Sequence, residues 1–264
     1  MPKTVVAVED VDVTELDFTI TKRADFLVRF FLVWCVGVLA VDGGFAVESE
    51  SKPWKAEPGK SSGWGGKANR LSRQADAVKP EICFVGDSLT EFWSNEGSPV
   101  WLLEFHDKKV ANLGMAADRV ENILWRLKNG GLEKIQPGLV VLMLGTNNLS
   151  KSPPDKPEDV ARGVAAVLKV IQLKLPRSRV LLLSILPNGY DQSSALRGSV
   201  RLTNQALSEL EVMGKIDFLN VHDSFLTTAG TWKRGLTVDG THLTMRGYDV
   251  LMNQLRKPLA EVVK

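Results

Sequence analysis

Residues 81–88 read EICFVGDS. Four apolar residues, Ile82–Val85, are closed by a glycine and two small polar residues, which predicts a strand buried on both faces that turns sharply into a helix. The predicted strand takes in Glu81–Gly86, and four other runs share its character: Lys109–Leu113 (KVANL), Leu139–Leu144 (LVVLML), Arg179–Ile185 (RVLLLSI) and Ile216–Val221 (IDFLNV). Helical spacing appears between them. Asp118 and Glu121 form a capping-box signature, and Val120, Ile123, Leu124 and Leu127 follow on one face. Pro157–Leu175 carries Val160, Val164, Val167, Leu168 and Ile171 at the same period; Arg201–Met213 and Thr244–Val263 complete the set, the last opening on Thr244 as a cap. Strands alternating with helices predict an α/β sandwich around a five-stranded parallel sheet. Such sheets carry their chemistry at the carboxyl ends of the strands, beside the point where strand order reverses.

The bulk properties narrow the class. With 264 residues, 44% apolar and 24% charged, the chain can bury a full core without metal or disulfides. A net charge of +2 with no long Lys/Arg run gives no field for nucleic acid or an anionic membrane. The two cysteines are Cys35, in an apolar stretch, and Cys83, in a predicted strand, so no disulfide framework is expected. No His/Cys cluster has metal spacing, and neither a metal nor a cofactor is expected. Composition sets no oligomeric state.

The N-terminal region stands apart. Phe30–Val41 (FFLVWCVGVLAV) follows Arg29 and ends at Asp42. About a dozen apolar residues fall short of the roughly 20 a bilayer span needs, but suit the core of a secretory signal. Gly44-Phe45-Ala46 places small residues for cleavage after Ala46, giving an exported protein with no stable membrane insertion of the mature domain. Trp34 before Cys35 disfavours lipidation. An uncleaved anchor over residues 30–41, or a buried helix, are the competing readings. Residues 1–25 are rich in Asp and Glu, unlike a basic signal start, which puts the signal's own start near Leu27 or Val28 and leaves the translation of residues 1–27 open. Residues 47–66 have linker composition, and the catalytic domain is expected over 67–264. Trp54 and Trp64 within the linker are expected to pin it to the domain surface, the alternative being stacking on sugars.

Four segments at strand ends or before the last helix carry chemistry-bearing residues. Ser88 follows the first strand, where its hydroxyl is exposed and its N–H points with the amides of the next helix. Asp239-Gly240-Thr241-His242 precedes the last helix; a carboxylate three residues from an imidazole can fix its tautomer while the ring takes a proton from Ser88. Gly114 at the second strand's end can present a bare N–H, and Asn147 after the third can donate from its amide. Each alone is ordinary: a Ser cap, a turn with a surface His, a strand-ending Gly, a turn Asn. Together they supply a nucleophile, a base, an orienting acid and three oxyanion donors, the N–H groups of Ser88 and Gly114 and the Asn147 amide. Only three histidines exist; His106 and His222 read as structural, with His222 the fallback base.

The segments CFVGDSLTEFW, NLGMAADRVENILWRL, LMLGTNNL and VDGTHLTMRGY resemble the successive blocks of SGNH/GDSL hydrolases, over about residues 65–262. The nearest branch is that of the catalytic subunits of platelet-activating-factor acetylhydrolase and their bacterial relatives. The resemblance implies a flavodoxin-like three-layer α/β/α sandwich, Ser88, Asp239 and His242 as a catalytic triad, and an oxyanion hole of Ser88, Gly114 and Asn147. It implies a serine esterase acting on small-molecule or polysaccharide acyl esters, short-chain and acetyl first. A lipid, lysophospholipid or platelet-activating-factor-like substrate is one alternative, a non-catalytic carbohydrate-binding protein on the same fold the other. Asn148 stands where the wider superfamily has Asp, as is usual for this branch; Leu149 stands where the acetylhydrolase subunits carry His; Met115-Ala116-Ala117 replaces a glycine-richer stretch. These changes are expected to line the acyl pocket, so the substrate does not carry over.

Overall fold

The computed structural model describes residues 52–210 and 216–261. The expected signal, its cleavage point and Cys35 lie outside them. The five strands are β1 (Ile82–Gly86), β2 (Val110–Gly114), β3 (Leu139–Met143), β4 (Arg179–Leu183) and β5 (Ile216–Leu219), each within one or two residues of its expected start and end. All pair in parallel in the order β2-β1-β3-β4-β5, the flavodoxin-like order whose reversal point lies beside β1.

The helices are α1 (Trp64–Val78), α2 (Ser88–Glu91), α3 (Ser98–Phe105), α4 (Val120–Lys128), α5 (Thr146–Ser150), α6 (Pro157–Lys174), α7 (Ala195–Ser208) and α8 (Met245–Ala260). Side chains alternate across a strand, so the central strands feed two cores. Ile82, Phe84, Val141, Met143, Leu181 and Leu183 pack with Trp93, Phe105, Tyr248, Leu251, Met252 and Leu255, under α3 and α8. Cys83, Val85, Val140, Leu142, Val180 and Leu182 are buried on the other face, where α4, α6 and α7 pack together. The result is the three-layer sandwich expected. Burial pushes the Cys83 thiol up to about 12, so it stays protonated and inert.

Three of the expected helices differ at their ends, and α1 was not expected at all. Asp118 does not cap α4: its carboxylate faces Trp64 and Arg126, and Arg119 is the N-cap, its N–H donating to Asn122 Oδ1 at 2.9 Å. α7 begins at Ala195, not Arg201, because Ser194 Oγ accepts the Arg197 N–H at 3.3 Å. α8 opens, as read, on Thr244, whose hydroxyl accepts the Gly247 N–H, but it ends at Ala260.

The segment expected as a linker packs on the domain from Pro53 onward. The Arg162 guanidinium lies 4.1 Å from the centre of the Trp54 ring. Trp64 is buried, opens α1, meets Trp125 edge-on at 5.3 Å and donates Nε1–H to Asp118 Oδ1 at 2.6 Å. Pro53 lies so close to Gly163 of α6 that a Cβ there would sit 2.7–2.8 Å from Pro53 atoms, backbone included. Gly163→Ala therefore sets a gain in helix propensity of about 1 kcal/mol against overpacking of about 1–3 kcal/mol. The clash is with backbone and wins: denaturant unfolding should show a net loss of stability, with new tryptic cleavage at Lys55 and Lys60. Unchanged stability and protease resistance would show that this arm does not bear on α6.

Candidate active site

The site forms where β1, β2 and β3 end. Asp87 caps α2, its Oδ1 accepting the Leu89 N–H at 3.0 Å, and this turn sets Ser88 at the helix start, 7% exposed. Its hydroxyl meets His242 Nε2 at 3.0 Å, across 154 residues of sequence. His242 Nδ1 meets Asp239 Oδ2 at 2.7 Å, and Asp239 Oδ1 accepts the N–H groups of Thr241 and His242 at 2.9 and 2.8 Å. Burial works against the Asp239 carboxylate, but the His242 ring and these two N–H groups outweigh it and bring its pKa down to about 2. An ionised carboxylate selects the tautomer with hydrogen on Nδ1, leaving Nε2 free to accept the Ser88 proton. The Phe92 ring packs against the imidazole at 5.3 Å, a contact nothing in the sequence pattern announces.

Among the residues expected to form an oxyanion hole, one position differs from expectation. Gly114 cannot serve as donor, because its N–H donates to Asn112 Oδ1 at 2.9 Å. A Cβ on Gly114 would collide with the Thr90–Glu91 backbone, so this glycine permits close packing of β2 against α2. The free amide belongs to Ala117, three residues on. Ala117 is exposed and left-handed (φ 64), an uncommon state for a residue with a Cβ, and its N–H has no acceptor among the described residues. Anchors hold the loop on either side: Ala116 N–H donates to Glu91 Oε2 at 2.6 Å, and the Asp118 carbonyl accepts Asn147 Nδ2 at 2.9 Å. That bond orients the Asn147 amide and leaves its second N–H available. The Ser88 N–H is likewise unclaimed among the described residues. The signal for Ala117 was the departure from a glycine-richer stretch, since a glycine there marks a backbone that needs positive φ.

Other expected residues fall elsewhere. Asn148 is fully buried: its Oδ1 accepts the Val120 N–H and its Nδ2 donates to Glu121 and Asp155 at 2.9 and 2.8 Å. Leu149 and Met115 are also buried. Of the departures expected at the acyl pocket, only Ala116 and Ala117 reach the surface. His106 is exposed at the end of α3, while His222 is buried and holds Asp223 through Nδ1 at 2.9 Å; the histidine on Ser88 is His242. No group of three or more His, Cys, Asp or Glu among the described residues could hold a metal ion. None of the described helices is long and apolar enough to cross a membrane.

Residues 84–250 match the model of the GDSL-like lipase/acylhydrolase family. The chain is 30% identical over 201 residues to platelet-activating factor acetylhydrolase IB subunit alpha2 of Rattus norvegicus, covering 76% of this chain and 83% of that protein. Its fold is similar to a GDSL-like lipase from Bacteroides thetaiotaomicron (TM-score 0.62, 18% identity, covering 74% of this chain and 98% of that one). It is also similar to the acetyl xylan esterase AlAXEase (TM-score 0.59, 19% identity, covering 67% and 98%).

Asp87 bears on pH. Burial first, then the nearby Asp118 charge, raise its pKa to about 7 against the Leu89 N–H. Between the unfolded value of 3.8 and about 7 the folded chain keeps a proton that the unfolded chain has lost, so stability falls as pH rises through that window. Asp87→Asn retains a helix cap and removes this titration. Thermal midpoints measured from pH 4 to 8 should fall more steeply with pH for the native protein than for the variant; parallel curves would refute the assignment.

Proposed function

Because the chain belongs to the GDSL-like lipase/acylhydrolase family and is an ester hydrolase, we propose that it is a serine esterase with Ser88 as nucleophile, His242 as general base and Asp239 as the orienting acid. The observation that carries this reading is the unbroken pair of contacts, Ser88 Oγ to His242 Nε2 at 3.0 Å and His242 Nδ1 to Asp239 Oδ2 at 2.7 Å. In the first step His242 Nε2 takes the Ser88 proton as Oγ forms a bond to the ester carbonyl carbon. The carbonyl oxygen becomes an oxyanion among the N–H groups of Ser88 and Ala117 and the free N–H of Asn147. The C–O bond to the alcohol breaks, and His242 gives the alcohol its proton. Water then repeats the sequence on the acyl-enzyme, with His242 as base and Ser88 Oγ as leaving group.

The substrate class we propose is short acyl esters, acetyl first, with carbohydrate as the alcohol. Acetyl is the acyl group in the names of both the rat acetylhydrolase subunit and the acetyl xylan esterase AlAXEase, while the alcohols those names imply differ. Carbohydrate is favoured by the export expected from Phe30–Val41 and Gly44-Phe45-Ala46. The 30% identity to the acetylhydrolase subunit favours a platelet-activating-factor-like ester as the second reading.

A fluorophosphonate should label the native protein at Ser88 and fail on Ser88→Ala; a native protein that takes no label would leave a non-catalytic binding protein on this fold. Initial rates on p-nitrophenyl acetate, butyrate and octanoate, beside acetylated xylan and a platelet-activating-factor analogue, rank the substrates. On the best of them Asn147→Ala should lower kcat by about 10²–10³ with folding intact, the usual cost of losing one oxyanion donor. Near-full activity would remove Asn147 from the hole.

A further inference from the structure

The acid–base side of the site and the oxyanion side come from different parts of the chain. Asp239 and His242 ride on the turn before α8, and Asn147 rides on α5. One buried side chain bridges them. Asn188, 4% exposed in the loop after β4, accepts the Thr241 hydroxyl on Oδ1 at 2.7 Å. Its Nδ2 donates to Ser150 Oγ at 2.7 Å, and Ser150 Oγ donates to the Thr146 carbonyl at 2.8 Å. The three bonds run in one direction, from the residue beside His242 to the residue beside Asn147. In this relay each hydroxyl donates onward, and the Asn188 amide accepts on one end and donates on the other.

The loop that carries Asn188 is itself held. Gly189 N–H donates to the Gly240 carbonyl at 2.9 Å, and the Gly189 carbonyl accepts from Arg197 Nη1 and Trp232 Nε1, both at 3.2 Å. The Tyr190 ring lies over Gly240, close enough that a Cβ there would meet it at 3.2 Å, and its hydroxyl donates to the Val238 carbonyl at 3.3 Å. The strap 188–190 thus grips the catalytic turn from Val238 to Thr241.

We propose that Asn188 is a positioning residue that sets the spacing between His242 and the Asn147 oxyanion donor, acting through Thr241 and Ser150. This inference rests on the serine-esterase reading above. Asn188 does not touch the reacting atoms; its loss lets the two halves of the site drift, and a misplacement of about 1 Å costs on the order of 10²-fold in rate.

Thr241→Val keeps the side-chain shape and removes the hydroxyl, while Thr241→Ser keeps the hydroxyl. Steady-state kinetics on p-nitrophenyl acetate, with thermal midpoints, should show Thr241→Val lowering kcat about 10- to 100-fold. KM should move little, the midpoint should stay near native, and Thr241→Ser should restore most of the rate. Asn188→Ala should lower kcat similarly, and the double variant Asn188→Ala/Thr241→Val should be no slower than the slower single variant, as expected for residues acting through one bond. Native-like kcat in Thr241→Val, or losses that multiply in the double variant, would overturn the inference while leaving the esterase reading standing. A native protein that neither hydrolyses the ester nor takes fluorophosphonate overturns both.

Discussion

The buried pair of Asp118 and Arg126 is the constraint from which the site is built. Arg126 Nε lies 2.8 Å from Asp118 Oδ2, and its two other nitrogens reach the carbonyls that end β2 and β1, Leu113 O at 3.0 Å and Gly86 O at 3.5 Å. Asp118 takes Trp64 Nε1–H on its other oxygen and offers its backbone carbonyl to Asn147. One ion pair therefore ties together the strand before Ser88, the loop carrying the Ala117 amide, the side chain of Asn147 and the first helix. Burial raises the Asp118 pKa and lowers that of Arg126, and each charge offsets the other's shift. A pair of this kind adds little as a unit over an apolar filling, yet removing one partner strands the other charge in the interior and typically costs about 3–5 kcal/mol. Its value here lies in geometry: four groups converge on these two residues from separate elements.

A second anchor brings His242 to Ser88. The contact between Ser88 and His242 spans most of the domain, so it cannot hold itself; loop closure over that length costs entropy before the contact returns anything. α8 supplies the hold. Tyr248, fully buried on its first turns, donates its hydroxyl to the Leu89 carbonyl at 2.9 Å and packs on Trp93 with ring centres 4.5 Å apart. The helix that follows His242 is thereby docked on the helix that begins with Ser88, and the apolar contacts of Leu251, Met252 and Leu255 continue that docking into the core.

Much of this was legible in the sequence, for identifiable reasons. The inner strands β1, β3 and β4 are buried and read as apolar runs; the edge strands β2 and β5 are only partly buried and carry Asn112 and Asp217, against the expectation of burial on both faces, yet their ends too fell within two residues. Chemistry-bearing residues at strand ends or before the last helix gave Ser88, Asp239 and His242, which the structure joins in one run of hydrogen bonds, and Asn147, whose amide donates to the Asp118 carbonyl next to Ala117. Three features escaped because they are decided by distant partners. α1 escaped because its first residues, Trp64–Gly66, close the Gly/Ser-rich stretch read as linker, although Lys67, Ala68, Arg70, Leu71 and Gln74 behind them are good helix formers; the Trp64 contacts with Asp118 and Trp125 fix where it starts. Asp118 has a cap's spacing but spends its carboxylate on Trp64 and Arg126. Gly114 looks like a bare amide, yet its conformation is ordinary strand, and the positive φ that turns an amide outward falls on Ala117, whose neighbours Ala116 and Asp118 are held by Glu91 and Asn147.

The two carboxylates nearest Ser88 and His242 divide their electrostatic work by environment. Asp239, with its side chain half exposed and taking three hydrogen bonds, stays ionised to about pH 2 and can hold the imidazolium that forms when Ser88 is deprotonated. Asp87 is 1% exposed, takes the Leu89 N–H on one oxygen, and leaves the other oxygen without a partner. Burial brings its pKa to about 7, so in mildly acidic solution it is largely uncharged and near neutrality it is charged only in part. That difference matters to the oxyanion. A full negative charge directly behind Ser88 would oppose the charge developing at the Ser88 and Ala117 amides, and in a dry interior such repulsion is far stronger than in water. The burial that destabilises the ionised form of Asp87 thus disfavours a competing anion next to Ser88, while hydrogen bonding at Asp239 keeps an anion beside His242.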